Sequence, residues 1–105
     1  MLDALVIGAG PAGLMAAEEL AKAGRRVVIC EGKPSPARKF LMAGKSGLNV
    51  TKAQALPAFI EIYQSPNMGP LLDEFGPAAV VEWCNQLGAD VFTGSSGRVF
   101  PKAMK

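Results

Sequence analysis

The first 31 residues combine two short apolar runs with a glycine-rich loop and a helical pattern. An apolar run at residues 4–7 leads into Gly8-Ala9-Gly10-Pro11-Ala12-Gly13, and a helical pattern over residues 14–23 follows directly. A second apolar run at residues 27–30 ends in Glu31. The order strand, glycine loop, helix, strand, acid predicts a βαβ unit whose loop faces a dinucleotide.

Each position of the loop has a physical reason in that interpretation. Gly8 permits a sharp turn out of the first strand, and Gly13 permits close packing of the helix on that strand. Gly10 removes a side chain where the backbone must approach a diphosphate. Pro11 suits the first helical turn, because its missing N–H has no intrahelical acceptor in any case. We therefore predict that Gly8, Gly10, Pro11, Ala12 and Gly13 form the cofactor-binding loop at the positive end of the helix.

Glu31 is the predicted partner of the ribose. It lies 18 residues after Gly13, close to the usual gap of about 20 residues for the acid that binds ribose hydroxyls. Its carboxylate would repel a 2′-phosphate, which argues against NADP in this pocket. Arg25 and Arg26 precede the second strand, so we expect them at its far end, in solvent. The alternative interpretation is a glycine-rich βαβ turn that binds no ligand.

Composition limits the remaining possibilities. The chain has 105 residues, 50% of them apolar, and a net charge of +2, which predicts at most one globular domain. That charge is too small to indicate a nucleic-acid partner or an anionic membrane surface. No apolar run approaches the roughly 18 residues that span a bilayer, and no signal peptide is evident. We expect a cytoplasmic protein.

Cysteine and histidine usage restricts the chemistry of this stretch. Cys30 and Cys84 are the only cysteines, and histidine is absent. We predict no metal-ligand cluster and no redox-active cysteine pair, with both thiols in the core. No catalytic acid, base or nucleophile is identified from the sequence.

Two further segments resemble a known family. Residues 37–51 are ARKFLMAGKSGLNVT and residues 97–105 are GRVFPKAMK. Together with the N-terminal loop, they resemble bacterial NAD(P)/FAD-dependent oxidoreductases, a family that includes aminoacetone-oxidase-like and BaiN-like flavoproteins. The chain differs from many of these relatives in having Leu48 where they have a cysteine. The resemblance implies FAD bound at the N-terminal unit, with the 39–51 loop along the flavin.

The composition of that loop agrees with the resemblance. Lys39 and Lys45 offer cationic donors to phosphate oxygens, and Gly44 and Gly47 permit close approach to a flat ligand. Neutral hydrogen-bonding groups come from Ser46, Asn49 and Thr51. We predict that Lys39, Gly47 and Asn49 line the flavin side of the cofactor site. The alternative is an ordinary polar surface loop.

The second half is predicted to hold three helices and a hairpin. The helices are expected at residues 53–63 with Thr51 as N-cap, at 69–75, and at 78–87 after Pro77, closed by Gly88. The third helix carries a predicted buried stripe of Val80, Val81, Cys84 and Leu87. Residues 91–93 and 98–101 predict a hairpin around a four-residue turn. Arg98 in that hairpin either binds an anion or lies in solvent.

The predicted fold class is therefore α/β, a Rossmann-like FAD-binding domain of the two-dinucleotide-binding-domain type. Residues 1–31 supply the βαβ unit, 32–52 the flavin-side loop, and 53–105 the helices and hairpin. Two parallel strands are too few for a doubly wound sheet. We expect an incomplete N-terminal fragment, with the remainder of the FAD domain supplied by downstream sequence.

The predicted function is hydride transfer through FAD, with NAD(P)H as a possible electron donor. We expect a small-molecule substrate of unknown identity, no nucleic acid and no membrane partner, and an inactive 105-residue fragment. Two alternatives stay open. One is an NAD-binding dehydrogenase domain, and the other is a non-enzymatic module that retains a nucleotide as a structural element.

Overall fold

The computed structural model describes residues 1–43 and 47–104, which form two compact units. The first unit comprises residues 1–43, and the second begins at residue 44. The boundary falls inside the segment predicted as a flavin-side loop. Both units contain helices and strands, as expected for a mixed α/β chain.

The first unit is built on a parallel strand pair. Strand β1 spans Ala4–Ile7, helix α1 spans Pro11–Lys22, and strand β2 spans Val27–Cys30. The strands pair in parallel, with Ala4 opposite Val27 and Ile7 opposite Cys30. Parallel neighbours need a crossover, and α1 supplies it. The predicted order of elements is confirmed, and α1 begins at Pro11, three residues before the predicted helical run.

The two faces of this sheet differ in burial. Alternate residues of each strand are half-buried on the side that packs against α1. The other face carries Leu5, Ile7 and Val28, whose exposed fractions are 56%, 84% and 39%. Cys30 belongs to this second face and is exposed. The prediction of a buried Cys30 is wrong, because a half-covered strand buries only every second side chain.

A short helix, α2, spans Arg38–Met42 and was not predicted. It follows Ala37, a non-glycine residue in the left-handed region with φ of 58°. The N–H of Ala37 donates to the carbonyl of Ala9 at 2.7 Å. This hydrogen bond ties the start of α2 to the glycine loop.

The second unit contains an antiparallel sheet and three helices. Strand β3 spans Thr51–Lys52, helices α3, α4 and α5 span Leu56–Ile62, Met68–Glu74 and Pro77–Gln86, and strands β4 and β5 span Val91–Thr93 and Arg98–Pro101. The strand order is β3-β5-β4, and both pairings are antiparallel. The predicted hairpin is thereby confirmed. The central strand β5 carries Val99, which is 1% exposed.

Two details of the second unit correct the predictions. Thr51 is a strand residue, and α3 begins only at Leu56 after Ala55, so the predicted N-cap is wrong. Cys84 is buried as expected, but Leu87 is 58% exposed because it caps α5 at the end of the helix. Gly88, with φ of +82°, closes α5 as predicted.

Among the described residues, the helices are all too short or too polar to cross a lipid bilayer.

Candidate dinucleotide-binding site

Gly8 anchors the glycine loop at the end of the strand pair. Its N–H donates to the carbonyl of Cys30 at 2.7 Å, extending the parallel pairing by one residue. Its φ of +103° lies in a region that side chains strongly disfavour. Glycine at position 8 is therefore required by the turn out of β1.

Gly13 brings α1 into close contact with β1. A Cβ atom at this position would overlap the carbonyl oxygen of Gly8 and lie 3.2 Å from Cγ1 of Val6. The predicted role of Gly13 in close helix–strand packing is confirmed.

Gly10 differs from both of these glycines. Its φ of −84° and ψ of −176° are extended angles that any residue adopts. Among the residues that the structure describes, no atom lies within 4 Å of a Cβ built on Gly10. Neither backbone conformation nor packing explains glycine at this position. The space beside Gly10 lies at the N-terminus of α1, where a diphosphate is predicted.

The first turn of α1 offers backbone N–H groups toward that space. The N–H of Leu14 donates to the carbonyl of Gly10 at 2.9 Å. The N–H groups of Ala12 and Gly13 precede it and have no intrahelical acceptor, while Pro11 has no N–H. No side chain caps the helix at Gly10, and its first turn carries no acidic residue. This arrangement suits an anion, which the helix dipole also favours.

Glu31 hydrogen-bonds to the loop itself. Its Oε1 accepts the N–H of Ala9 at 2.9 Å, and its Oε2 accepts the N–H of Lys33 at 3.0 Å. The N–H of Lys33, followed by that of Ala9, lowers the pKa of the Glu31 carboxyl, so the group is ionised at neutral pH. Each carboxylate oxygen has a second lone pair left for a ribose hydroxyl. Glu31 therefore braces the loop, and its role as the ribose partner stays a prediction.

Ala9 is a part of the site that the sequence did not reveal. It is 2% exposed, its N–H is bound to Glu31, and its carbonyl accepts the N–H of Ala37. The Ala9 amide is thus occupied by the protein, which leaves the N–H groups of Gly10, Ala12 and Gly13 to face a ligand. The sequence signal for the buried position of Ala9 is its small side chain between Gly8 and Gly10.

The arginines before β2 lie away from the loop, as predicted. The N–H of Arg26 donates to Oδ2 of Asp3 at 2.8 Å, beside the start of β1. Both Arg25 and Arg26 are exposed. In a parallel pair, this end of the strands is opposite to the end that carries the glycine loop.

The remaining predicted cofactor residues are divided between the two units. Lys39 is an exposed residue of α2 in the first unit, whereas Gly47 and Asn49 belong to the second. The predicted loop residues Gly44, Lys45 and Ser46 lie outside the described residues.

Gly47 and Asn49 have roles within the second unit. Gly47 has φ of +155°, and a Cβ there would lie 2.5 Å from Cε of Met104 and 3.3 Å from Cδ1 of Phe100. With its nitrogen turned to the sheet, the Asn49 amide donates to the carbonyls of Thr51 at 2.7 Å and Val99 at 3.3 Å. Packing and sheet hydrogen bonds account for both residue types, and the flavin contacts stay a prediction.

Comparison with known proteins bears on this site. Residues 2–105 match the family model described as the HI0933-like protein Rossmann domain. The chain is also similar to two proteins named ribosomal RNA dihydrouridine synthase. The one from Escherichia coli is 40% identical over 55 residues, and the one from Haemophilus influenzae is 41% identical over 54.

These alignments are partial. They cover 52% and 51% of this chain, and 14% of each relative. The chain therefore spans a small part of the length of these relatives. The family match extends over almost the entire sequence and confirms the resemblance stated from residues 1–51 and 97–105.

Proposed function

The chain belongs to the HI0933-like family of Rossmann-domain proteins, and we propose that it forms the FAD-binding part of a flavin-dependent oxidoreductase. The observation that carries this proposal is the space at Gly10. The fold requires glycine at positions 8 and 13, but it places no demand on position 10. A ligand that approaches the backbone closely supplies the missing reason.

The chain contributes binding and orientation. The N–H groups of Gly10, Ala12 and Gly13 bind the diphosphate at the positive end of α1. The free lone pairs of Glu31 accept the ribose hydroxyls, while its bonds to Ala9 and Lys33 hold the loop in position. When bound, the flavin supplies the hydride-transfer chemistry.

NAD is the alternative dinucleotide, because the loop and the acid suit either one. The negative charge of Glu31 disfavours a 2′-phosphate, so NADP is a poor fit to this pocket. We favour FAD because the predicted flavin-side residues Lys39, Gly47 and Asn49 belong to a segment that resembles flavoproteins. NAD(P)H then acts as electron donor from a separate site.

The bare face of the β1–β2 sheet supports a second part of the proposal. Parallel sheets are normally covered on both faces, and Leu5, Ile7 and Val28 are exposed apolar side chains on one of them. We propose that polypeptide beyond residue 105 covers this face and completes the FAD domain. The matched relatives, of which the alignments cover 14%, have the length to supply it.

The names of the relatives favour RNA uridine over a small molecule as substrate. Dihydrouridine differs from uridine by two hydrogens across the C5–C6 bond of the uracil ring. Its formation therefore consumes one hydride and one proton, with a reduced nicotinamide as the source of electrons. This proposal takes the place of two expectations from the sequence, a small-molecule substrate and no nucleic-acid partner, and it retains the redox class.

The test begins with the purified full-length protein. We expect the yellow absorption of an oxidised flavin, release of FAD on denaturation, and bleaching by NADH or NADPH that air reverses. A colourless protein that NAD protects against thermal unfolding would support the dehydrogenase alternative. Flavin that stays bound but is never reduced by either nicotinamide would support the non-enzymatic module.

The substrate proposal needs its own measurement. Ribosomal RNA from cells that lack the gene is incubated with the reduced protein and digested to nucleosides. We expect a gain of dihydrouridine by mass spectrometry, and none with flavin-free protein. A reduced, air-oxidisable flavin without dihydrouridine would contradict the RNA substrate and leave the oxidoreductase proposal standing.

A further inference from the structure

In the part of the chain that the structure describes, the antiparallel sheet of the second unit has one covered face and one open face. Helix α5 packs against β3 and β4, and Val99 and Pro101 of the central strand are buried. Side chains alternate across a strand, so Arg98 and Phe100 point to the other side. Their cross-strand partners are Lys52 and Phe92. We call the surface made by Lys52, Phe92, Arg98 and Phe100 the open face.

Two aromatic rings stand side by side on the open face. Phe92 and Phe100 are directly opposite in the β4–β5 register. Their ring centroids are 5.7 Å apart and their planes are inclined by 30°. Phe92 is 40% exposed, whereas Phe100 is only partly exposed and has Gly47 against its edge. Phe92 is therefore the more accessible ring.

Two cationic residues share this face with the rings. Lys52 and Arg98 are opposite each other in the β3–β5 register, and both are exposed. Lys102, exposed as well, follows β5 and donates its N–H to the carbonyl of Asp90. Asp90 is the acidic neighbour at that end of the sheet.

Two glycines of the β4–β5 turn lie next to the open face. A Cβ at Gly94 would lie 3.6 Å from Cε2 of Phe100, and a Cβ at Gly97 would lie 3.7 Å from Cε of Lys52. The β4–β5 turn thus passes close to the face without side chains at either position.

We propose that the open face binds a single-stranded RNA segment, an inference that rests on the proposed RNA substrate. Bases of any sequence stack on exposed aromatic side chains, and nearby cations neutralise the phosphates between them. The strand registers put Lys52 and Arg98 on the same face as the two rings, and a face with cations and rings is complementary to a nucleotide chain. The net charge of +2 did not predict this pair of cations. Lys52 and Arg98 are far apart in the sequence, and only the pairing of β3 with β5 brings them next to each other.

The first arm of the test removes a ring. The probe is a fluorescent oligouridylate of about 12 nucleotides, a length that one small single-strand-binding domain can cover. The protein is full-length and loaded with flavin. The matched control for Phe92→Ala is Phe75→Ala, since Phe75 of the same unit is 41% exposed. We expect Phe92→Ala to weaken binding about fivefold or more and Phe75→Ala to leave it unchanged.

The second arm measures salt dependence. Each lost phosphate contact lowers the slope of log affinity against log salt by about 0.7 for a single strand. We therefore expect Lys52→Ala with Arg98→Ala to lower that slope by about 1.4 in total. Arg25→Ala, which removes an exposed cation of the first unit, should leave the slope unchanged.

Defined outcomes overturn the inference. Equal binding by Phe92→Ala and Phe75→Ala excludes stacking on the open face. Equally tight binding of polyglutamate or of phosphatidylserine vesicles indicates a surface that recognises charge alone. If the full-length protein reduces its flavin but does not bind the RNA probe, the open-face proposal is wrong and the proposed oxidoreductase function is unaffected. If the protein binds the probe but neither nicotinamide reduces its flavin, the proposed function is wrong instead. Unchanged melting temperatures of the variants confirm that each one folds.

Discussion

The glycine loop of the first unit and the Gly47–Asn49 stretch of the second were predicted to serve one cofactor. In the structure, the two stretches differ in whether packing and backbone conformation alone account for the residues found there. Gly47 has a positive φ and lies against Phe100 and Met104, and Asn49 binds two carbonyls of its own sheet. Gly10 has ordinary backbone angles, and within residues 1–43 and 47–104 no atom lies within 4 Å of a Cβ built on it.

That contrast separates two kinds of glycine. A glycine that packing or φ requires is accounted for by folding, and its presence says little about a ligand. A glycine that the fold does not require, and that lies at the N-terminus of a helix as Gly10 does, leaves room for a ligand at the backbone. The two sheets also differ in what their uncovered faces carry. One face of β1–β2 exposes apolar side chains, whereas one face of β3–β5–β4 carries two cationic residues, the exposed ring of Phe92 and the partly exposed ring of Phe100.

The largest expected difference between the units is in thiol reactivity. Cys84 is buried and burial raises its pKa, so it should react with an alkylating reagent only after local opening. Cys30 is exposed in residues 1–105, and we expect it to react about 100-fold faster there, as opening of a core costs several kcal/mol. Peptide mapping by mass spectrometry measures both sites.

In the full-length protein, we expect Cys30 to react as slowly as Cys84, because we propose that further polypeptide covers the β1–β2 face. Fast labelling of Cys30 in the full-length protein would contradict that part of the proposal.

Gly13→Ala tests the contact between α1 and β1. The added methyl group overlaps the Gly8 carbonyl, so we expect the free energy of unfolding to fall by about 1–3 kcal/mol. Urea denaturation measures the change. A variant as stable as the original would show that helix and strand can separate without cost.

Acidification tests the brace formed by Glu31. Because its pKa is lowered in the folded protein, its contribution is present at neutral pH, above the unfolded pKa. That contribution is lost as the pH falls through the lowered value. We expect FAD affinity to fall in that window, and Glu31→Gln to weaken binding roughly tenfold at neutral pH. The control is Glu19→Gln, which removes only an exposed ion pair with Lys22. Equal pH profiles for the original and Glu31→Gln would exclude the brace.

Asn49→Ala gives the smallest expected effect and decides between two roles. If its amide serves the sheet, stability falls by about 1 kcal/mol while the flavin content of the folded protein is unchanged. A normal melting temperature with an altered flavin spectrum would instead favour the predicted cofactor contact.

The sequence predicted the local order of the first unit well, because strand, loop and helix signals there lie within 31 consecutive residues. It identified Glu31 but missed its bond to Ala9, since that contact depends on the parallel register of β1 and β2. The assignment of Thr51 as a helix cap failed for a similar reason. Thr51 pairs with Val99, a partner far along the chain that local patterns do not reveal.

Burial was the least predictable property. Cys30 ends strand β2 and Leu87 caps helix α5, and both apolar side chains are exposed. Their burial depends on what covers a sheet face or follows a helix end, and neither is encoded in the residues next to them.

The most direct test compares Gly10→Ala with Gly32→Ala. Among the described residues, a Cβ at Gly32 also meets nothing within 4 Å, so we expect both variants to fold. Gly10→Ala should lose up to about 1 kcal/mol of stability, because Gly10 is the N-cap of α1 and alanine is a poorer N-cap than glycine. We predict that Gly10→Ala weakens FAD binding by at least tenfold, a loss of about 1.4 kcal/mol, while Gly32→Ala binds normally. Normal FAD affinity in a well-folded Gly10→Ala protein would contradict a diphosphate site at this loop.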